Sequence, residues 1–250
     1  MKILRFSVGK KTSYGTLEKN SIKVIEGNPF GALRYTGTTL NLNDVRLLAP
    51  CVPSKIVCLG VNYRSHAGEV NTQVPKVPLL FLKPPTAVIG PEDKIIYPVM
   101  SQRVDYECEL GVVMKKRASH ISAGSSLDYV LGYTCFNDVT ARDLQSLDVQ
   151  WTRAKGFDTF AAFGPWIETD LDPTNVPVET YLNGELKQSG NTQDMIFSVR
   201  DVISFISRVM TLLPGDLIAT GTPSGIGPMK PGDVVEIKIP PIGTLRNCVV

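Results

Sequence analysis

Apolar and polar positions alternate with period two over the first fifty residues of this 250-residue chain. KILRFSV, YGTLEKN and SIKVIEG therefore read as short strands of a β meander, closed by a turn around Gly27, Asn28 and Pro29. Two prolines within Ala49-Pro50-Cys51-Val52-Pro53-Ser54 neither continue a helix nor join a central strand, which places a boundary there. The pattern predicts a small N-terminal β unit over 1–52, too small to fold alone, and a main unit over 53–250.

Beyond the boundary, KIVCLGV, PLLFLKPPTAVIG, KIIYPV, VDYECELGVVM and Leu131 to Phe136 are strand-like and are expected side by side in one sheet system. Asn62 to Glu69 is polar enough for one or two helical turns, and the loop-like stretch after it, up to Pro78, suggests a lid. One longer helix is predicted over Val199 to Leu212, where Val199, Val202, Ile203, Ile206, Val209 and Met210 form an apolar face. Ser198 is its N-cap, and Leu213-Pro214-Gly215 stops it. Asn183-Gly184 between ETYL and ELKQSG marks a type I′ hairpin. The last segment, VVEIKIPPIGTLRNCVV, alternates as a strand and turns at Pro240-Pro241.

Composition narrows the class of partner. Twenty-one glycines and 18 prolines predict many turns and few long helices, as in a β-rich fold. No run approaches the ~20 apolar residues needed to cross a bilayer. With 26 basic and 24 acidic side chains, net charge is +2 and neither sign forms a block, which removes the compositional case for nucleic acid or an anionic membrane. A small molecule is the default partner. Cysteines 51, 58, 108, 135 and 248 include no CxxC pair, and Met1-Lys2-Ile3 leads into no secretory segment, so reduced thiols and a cytoplasmic location are expected.

Candidate chemistry begins at Asp105-Tyr106-Glu107-Cys108-Glu109. On one strand, Asp105, Glu107 and Glu109 share a face and repel one another. A solvated edge, neighbouring Arg or Lys, or a divalent cation would each relieve this. Asp138, at the end of an apolar strand, could supply a third oxygen to such a cation or simply cap a short helix through Leu144. An all-oxygen set suits Mg²⁺, Mn²⁺ or Ca²⁺ better than Zn²⁺.

Of the two histidines, His66 stands three residues before Glu69, a helical spacing at which the carboxylate could orient the imidazole; a plain surface pair is the alternative. His120, beside Lys115-Lys116-Arg117, reads as a surface residue. Lys155 sits among aromatic and small residues and could enter a pocket, although most lysines stay solvated. Ala219-Thr220-Gly221-Thr222-Pro223-Ser224-Gly225-Ile226-Gly227 looks like an anion-cradling loop with Thr222 as hydroxyl donor, yet it is neither a Walker motif nor a dinucleotide fingerprint.

Taken in order, NYRSHAGE, KPPTAVIGPED, DYECELGVV, GYTCFNDVTARDLQ, KGFDTFAAFGPW, LNGELKQSGNT and TGTPSGIGPMKPGD resemble the fumarylacetoacetate hydrolase family over about four fifths of the chain, roughly residues 53 to 245. The resemblance implies an α+β, mainly β fold, a core of rolled mixed sheets with few short helices, and a homodimer. It implies Mg²⁺ or Mn²⁺ on Glu107, Glu109 and Asp138, with His66 and Glu69 as the lid pair and Lys155 as the active-site lysine. It also places Arg142, Gln145 and Thr222 against the substrate.

The substrate class so implied is a 2-oxo or 2-hydroxy-2-enoic acid, handled through an enolate. The leading expectation is hydrolytic cleavage of an acylpyruvate-like C–C bond by water that His66 and Glu69 activate. The alternatives are isomerisation or decarboxylation of 2-hydroxyhepta-2,4-diene-1,7-dioate, decarboxylation of oxaloacetate, and a binding protein of the same fold without catalysis.

Overall fold

Strand Lys2–Val8 joins the N-terminal meander to the rest of the molecule in a computed structural model that describes residues 1–250. It buries Ile3, Leu4 and Phe6 and pairs antiparallel with Lys11–Glu18 along its whole length. On its other edge Lys2 and Ile3 meet Glu168 and Ile167 of strand Ala161–Glu168, and Arg5 to Ser7 meet Arg46–Leu48. The meander, which continues through Ser21–Ile25 and Tyr35–Asn41, is thus an extension of the main sheet.

That sheet has 12 strands. From Ala161–Glu168 it continues through Val130–Asp138, Cys108–Met114, Leu217–Ala219, Ile56–Leu59 and Leu80–Lys83. It is mixed: Leu217–Ala219 runs parallel to Ile56–Leu59, and Val88–Ile89 parallel to Ala161–Glu168. Strands Glu185–Asn191, Pro177–Leu182, Val234–Ile239, Gly243–Val249 and Lys94–Ile95 form a second sheet, and Thr140–Ala141, Val104–Tyr106 and Gly227–Met229 a small third one. The expected single sheet system is therefore three sheets. The main core lies between the two larger ones, where Leu110 and Val112 from one meet Val178, Ile237 and Leu245 from the other. Each such side chain, fully buried, contributes about 1.5–3 kcal/mol.

Four α-helices complete the fold: α1 (Arg64–Glu69), α2 (Arg142–Leu147), α3 (Thr152–Gly156) and α4 (Val199–Val209). In α4 Ser198 accepts from the Asp201 N–H as the N-cap, and Val202, Ile203 and Ile206 are buried. The helix ends at Val209, three residues short of expectation, because Met210 is extended and Leu212 bridges Ala118. The Asn183-Gly184 turn closes its hairpin, with both residues at positive φ and Leu182 opposite Glu185. KIIYPV contributes only Lys94–Ile95 to a sheet, and beyond it the Tyr97 N–H still donates to the Val250 carbonyl at 2.8 Å.

The most consequential departure concerns residues 104–114, which the sequence pattern presents as one strand. The chain breaks at Glu107: Val104–Tyr106 belongs to the small sheet and Cys108–Met114 to the large one. Side chains satisfy the backbone at the crossing, with Asn137 Oδ1 accepting from the Glu107 N–H at 3.0 Å and Gln188 Oε1 from the Cys108 N–H at 2.9 Å.

Candidate active site

Register brings the acids together. Within the large sheet Cys108 lies opposite Asn137 and Glu109 opposite Phe136, and the Asp138 N–H donates to the Glu107 carbonyl at 3.0 Å. One oxygen each from Glu107, Glu109 and Asp138 then lie within 4.8 Å of one another, all three side chains buried. Asp138 ends its strand and caps no helix; Ala141 precedes α2 and offers no side-chain cap.

Cations surround two of these acids and miss the third. Lys155 Nζ lies 2.9 Å from Glu107 Oε2 and 2.7 Å from Asp138 Oδ2. Arg142 donates through Nη2 to Glu107, through Nε to Asp105 at 2.9 Å and through Nη1 to Gln145. Lys83, wholly buried, pairs with Asp138 and donates to the Val139 carbonyl at 3.0 Å. Glu109 receives only the Gly221 N–H on Oε2, at 2.8 Å, and its Oε1 has no partner.

Proton affinities follow this asymmetry. Burial alone would raise Glu107, but Lys155 and then Arg142 outweigh it and hold the carboxyl well below its usual range. Glu109 is pushed well above that range, first by burial and then by Asp138 and Glu107. The two lysines diverge as well. Burial lowers Lys83, which faces one carboxylate, whereas Asp138 and Glu107 together overcome burial at Lys155 and raise it.

Helix α1 places His66 above this floor. Its Nδ1 lies 2.9 Å from Glu69 Oε2, and the other Glu69 oxygen accepts from the Gly225 N–H at 2.8 Å. The loop expected to cradle an anion thus turns its N–H groups on the protein's own carboxylates, Glu109 at Gly221 and Glu69 at Gly225. Asn62 ties the base of α1 to this loop, donating to the Thr220 carbonyl at 2.7 Å.

A cleft of about 260 Å³ opens over the floor, lined by His66, Glu107, Arg142, Gln145 and Lys155 together with Leu59, Leu79, Phe81 and Trp151. Thr222 lies apart from its lining: the residue is buried, and its hydroxyl accepts from Gln188 Nε2 at 2.9 Å. His120 is exposed, as expected.

Sequence reasoning misses four participants: Lys83, Asp105 as the partner of Arg142, Gln188 and Trp151. Lys83 has a signal, a lone lysine closing the apolar run PLLFL ahead of two prolines. The spacing of Asp105 gives its face but not its partner, and nothing in the sequence marks Gln188.

Comparison with known proteins bears on these features. Residues 55–250 match the fumarylacetoacetate (FAA) hydrolase C-terminal model, and residues 1–50 the Rv2993c-like N-terminal model. The structure is similar to that of 2-hydroxyhepta-2,4-diene-1,7-dioate isomerase from Mycobacterium marinum, with TM-score 0.94 and 44% identity over 100% of this chain and 98% of the other. It is also similar to maleylpyruvate hydrolase from Sphingobium sp. SYK-6, solved with manganese (II) ion and pyruvate, with TM-score 0.82 and 30% identity over 100% and 99% of the two chains. The human mitochondrial oxaloacetate tautomerase FAHD2A is 42% identical over 83% of this chain and 70% of its own length. With the family model spanning most of the molecule and relatives above 40% identity, this chain belongs to the fumarylacetoacetate hydrolase family of enzymes.

Proposed function

We propose that the cleft binds a 2-oxo acid with a divalent cation and cleaves an acylpyruvate-like C–C bond through its enolate. The observation that carries this reading is the orphaned Oε1 of Glu109, buried beside Asp138 and Glu107, the last of which lines a cleft together with His66, Arg142 and Lys155.

The residues fit a cation of the Mg²⁺ or Mn²⁺ type. All three donors are oxygens, and carboxylate oxygens that already accept one hydrogen bond keep a lone pair. A buried carboxyl with one unpartnered oxygen and a raised proton affinity is short of positive charge. Glu107, Glu109 and Asp138 would hold the ion, which supplies Lewis-acid charge for a developing enolate oxygen.

The protein's own groups account for the remaining steps. Arg142 and Lys155 bring fixed positive charge to the cleft floor, suited to a substrate carboxylate and to enolate charge. Lys155 needs no rearrangement to do so, because Glu107 and Asp138 already keep it protonated. Glu69 holds His66 at Nδ1, which leaves Nε2 to take a proton from water attacking the distal carbonyl and to return it to the enolate carbon as pyruvate leaves. Gln145, fixed by Arg142, offers an amide to the same region of the cleft. Thr222, which accepts from Gln188, keeps its O–H to donate to a substrate oxygen.

A second reading has its own support. The relatives named isomerase and tautomerase are 44% and 42% identical to this chain, against 30% for the hydrolase, and keto–enol tautomerisation needs the same floor and only the proton shuttle of His66. Assays with acetylpyruvate, oxaloacetate and 2-hydroxyhepta-2,4-diene-1,7-dioate, with Mg²⁺ and then with EDTA, separate the two. Pyruvate release from acetylpyruvate supports cleavage; enol-to-keto conversion of oxaloacetate without cleavage of acetylpyruvate supports tautomerisation. Metal-independent turnover would overturn both. A homodimer is part of the proposal, and light scattering tests it.

A further inference from the structure

We propose that the outer part of the cleft selects 2-oxo acids whose chain beyond C4 carries no charge, and that Trp151 sets this preference. The inference rests on the 2-oxo acid reading above and adds to it the polarity of the distal arm. Every charged or titratable group lining the cleft sits at its inner end and is already engaged: His66 with Glu69, and Arg142 and Lys155 with Glu107. Leu79, Phe81 and Trp151, more exposed than His66, Glu107 and Lys155, build the outer wall, where Thr72 and Ser146 add hydroxyls and no cation.

Trp151 and Phe81 meet edge to face, ring centroids 5.4 Å apart at 75°. The Phe81 ring centroid also stands 5.0 Å from Lys155 Nζ, so an apolar ring lies against the buried cation. The wall is closed behind: a Cβ on Gly60 would lie 2.8 Å from Leu79 Cδ2 and 3.2 Å from Trp151 Cζ3. Trp151 begins the turn that carries Lys155 to the floor, its carbonyl accepting the Lys155 N–H at 2.9 Å. One helical turn therefore presents a cation inward and an indole outward. A carboxylate on the distal arm would lose water against this wall and gain no cation, while a methylene chain would gain apolar contact.

The test is equilibrium binding by calorimetry to the full Mg²⁺-loaded chain, using pyruvate, 2-oxohexanoate and 2-oxohexanedioate, the last two equal in length and different only in the end group. We expect 2-oxohexanoate to bind at least about tenfold more tightly than 2-oxohexanedioate. Trp151→Ala should weaken 2-oxohexanoate about tenfold, a loss equivalent to under two buried methylenes, while pyruvate, which has no arm, binds within twofold of the unaltered protein. Equal or tighter binding of 2-oxohexanedioate overturns the proposal, as does a Trp151→Ala protein with an unchanged ratio. If Trp151→Ala also loses pyruvate, Trp151→Phe decides: it must keep pyruvate and narrow the ratio at least twofold, or Trp151 is only structural and the proposal fails. Should the unaltered protein bind none of the three acids, the 2-oxo acid reading falls with it; binding of pyruvate alongside a preference for the dicarboxylate removes only the inference about the arm.

Discussion

Glu69 and Gly225 are 156 positions apart in sequence, and the Gly225 backbone N–H donates to the Glu69 carboxylate at 2.8 Å. The remaining Glu69 oxygen faces His66 Nδ1, so a single side chain anchors the end of α1 and aims the imidazole. In the proposed reaction this pairing would hold the ring in place while Nε2 moves the proton.

Glu69→Gln keeps an oxygen for Gly225 and removes the charge beside His66. We expect kcat to fall about 10²-fold, the lower range for a lost general base, with KM little changed. His66→Ala should fall as far, and the double variant no further, because the two residues act as one unit. Steady-state kinetics on folded, metal-loaded protein check this.

Replacing Glu109 separates metal binding from stability. Glu109→Gln should lose most of its affinity for Mg²⁺ or Mn²⁺, measured by calorimetry. At neutral pH the metal-free variant should nevertheless be more stable than the metal-free parent by about 1–3 kcal/mol, because the amide lacks the ionisation that favours the unfolded chain when Glu109 is present, or roughly 2–4 °C in Tm per kcal/mol for a chain of this size.

The two glutamates should give opposite pH signatures. Glu107 is held below its ordinary value of 4.5, so its contribution to stability is complete above that pH and is lost as pH falls through its folded value. Glu109 is raised, so the folded metal-free protein holds a proton that the unfolded chain releases, and stability falls as pH rises from 4.5 through the higher folded value. A divalent cation held by the proposed site would displace that proton. Its affinity should rise with pH, and calorimetry in buffers of different ionisation enthalpy should detect proton release, which Glu109→Gln abolishes.

Lys83 is the cation that sequence reasoning overlooks, and both it and Asp138 are without solvent exposure. Lys83→Met leaves Asp138 with Lys155 as its remaining cation, a change expected to cost about 3–5 kcal/mol, as for a broken buried ion pair. Added Mg²⁺ should recover part of that loss by supplying charge to Asp138. Urea denaturation with and without the metal measures both quantities.

Much of this arrangement is legible along the chain because local spacing carries it. A three-residue interval puts His66 and Glu69 on one face of α1, and the Asn183-Gly184 pair specifies its own turn. The ordered motifs point to Glu107, Glu109, Asp138 and Lys155, which the structure gathers on one cleft floor. The single strand breaks at Glu107, where the chain leaves one sheet for another, yet the alternation holds across the break: Asp105 and Glu107 share Arg142, Glu107 and Glu109 stand together, and Tyr106, Cys108 and Leu110 enter the core. The glycine loop does turn N–H groups on anions, but those of Gly221 and Gly225 meet the protein's own Glu109 and Glu69, a pairing that the sequence does not mark.

By itself the sequence determined the β-rich class, the elements with strong local signals and the residue types available for chemistry, because period, turn geometry and charge are properties of neighbours. Only the tertiary structure decided which charges meet. Lys83 reaches Asp138 across 55 positions, Arg142 reaches Asp105 across 37, and Glu109 is left with one hydrogen bond and an unpartnered oxygen. Burial of a charge costs little or much according to the partners that distant strands bring to it. In this chain that pairing, set by the register of sheets joined at Glu107, leaves one carboxyl short of positive charge where a cation fits.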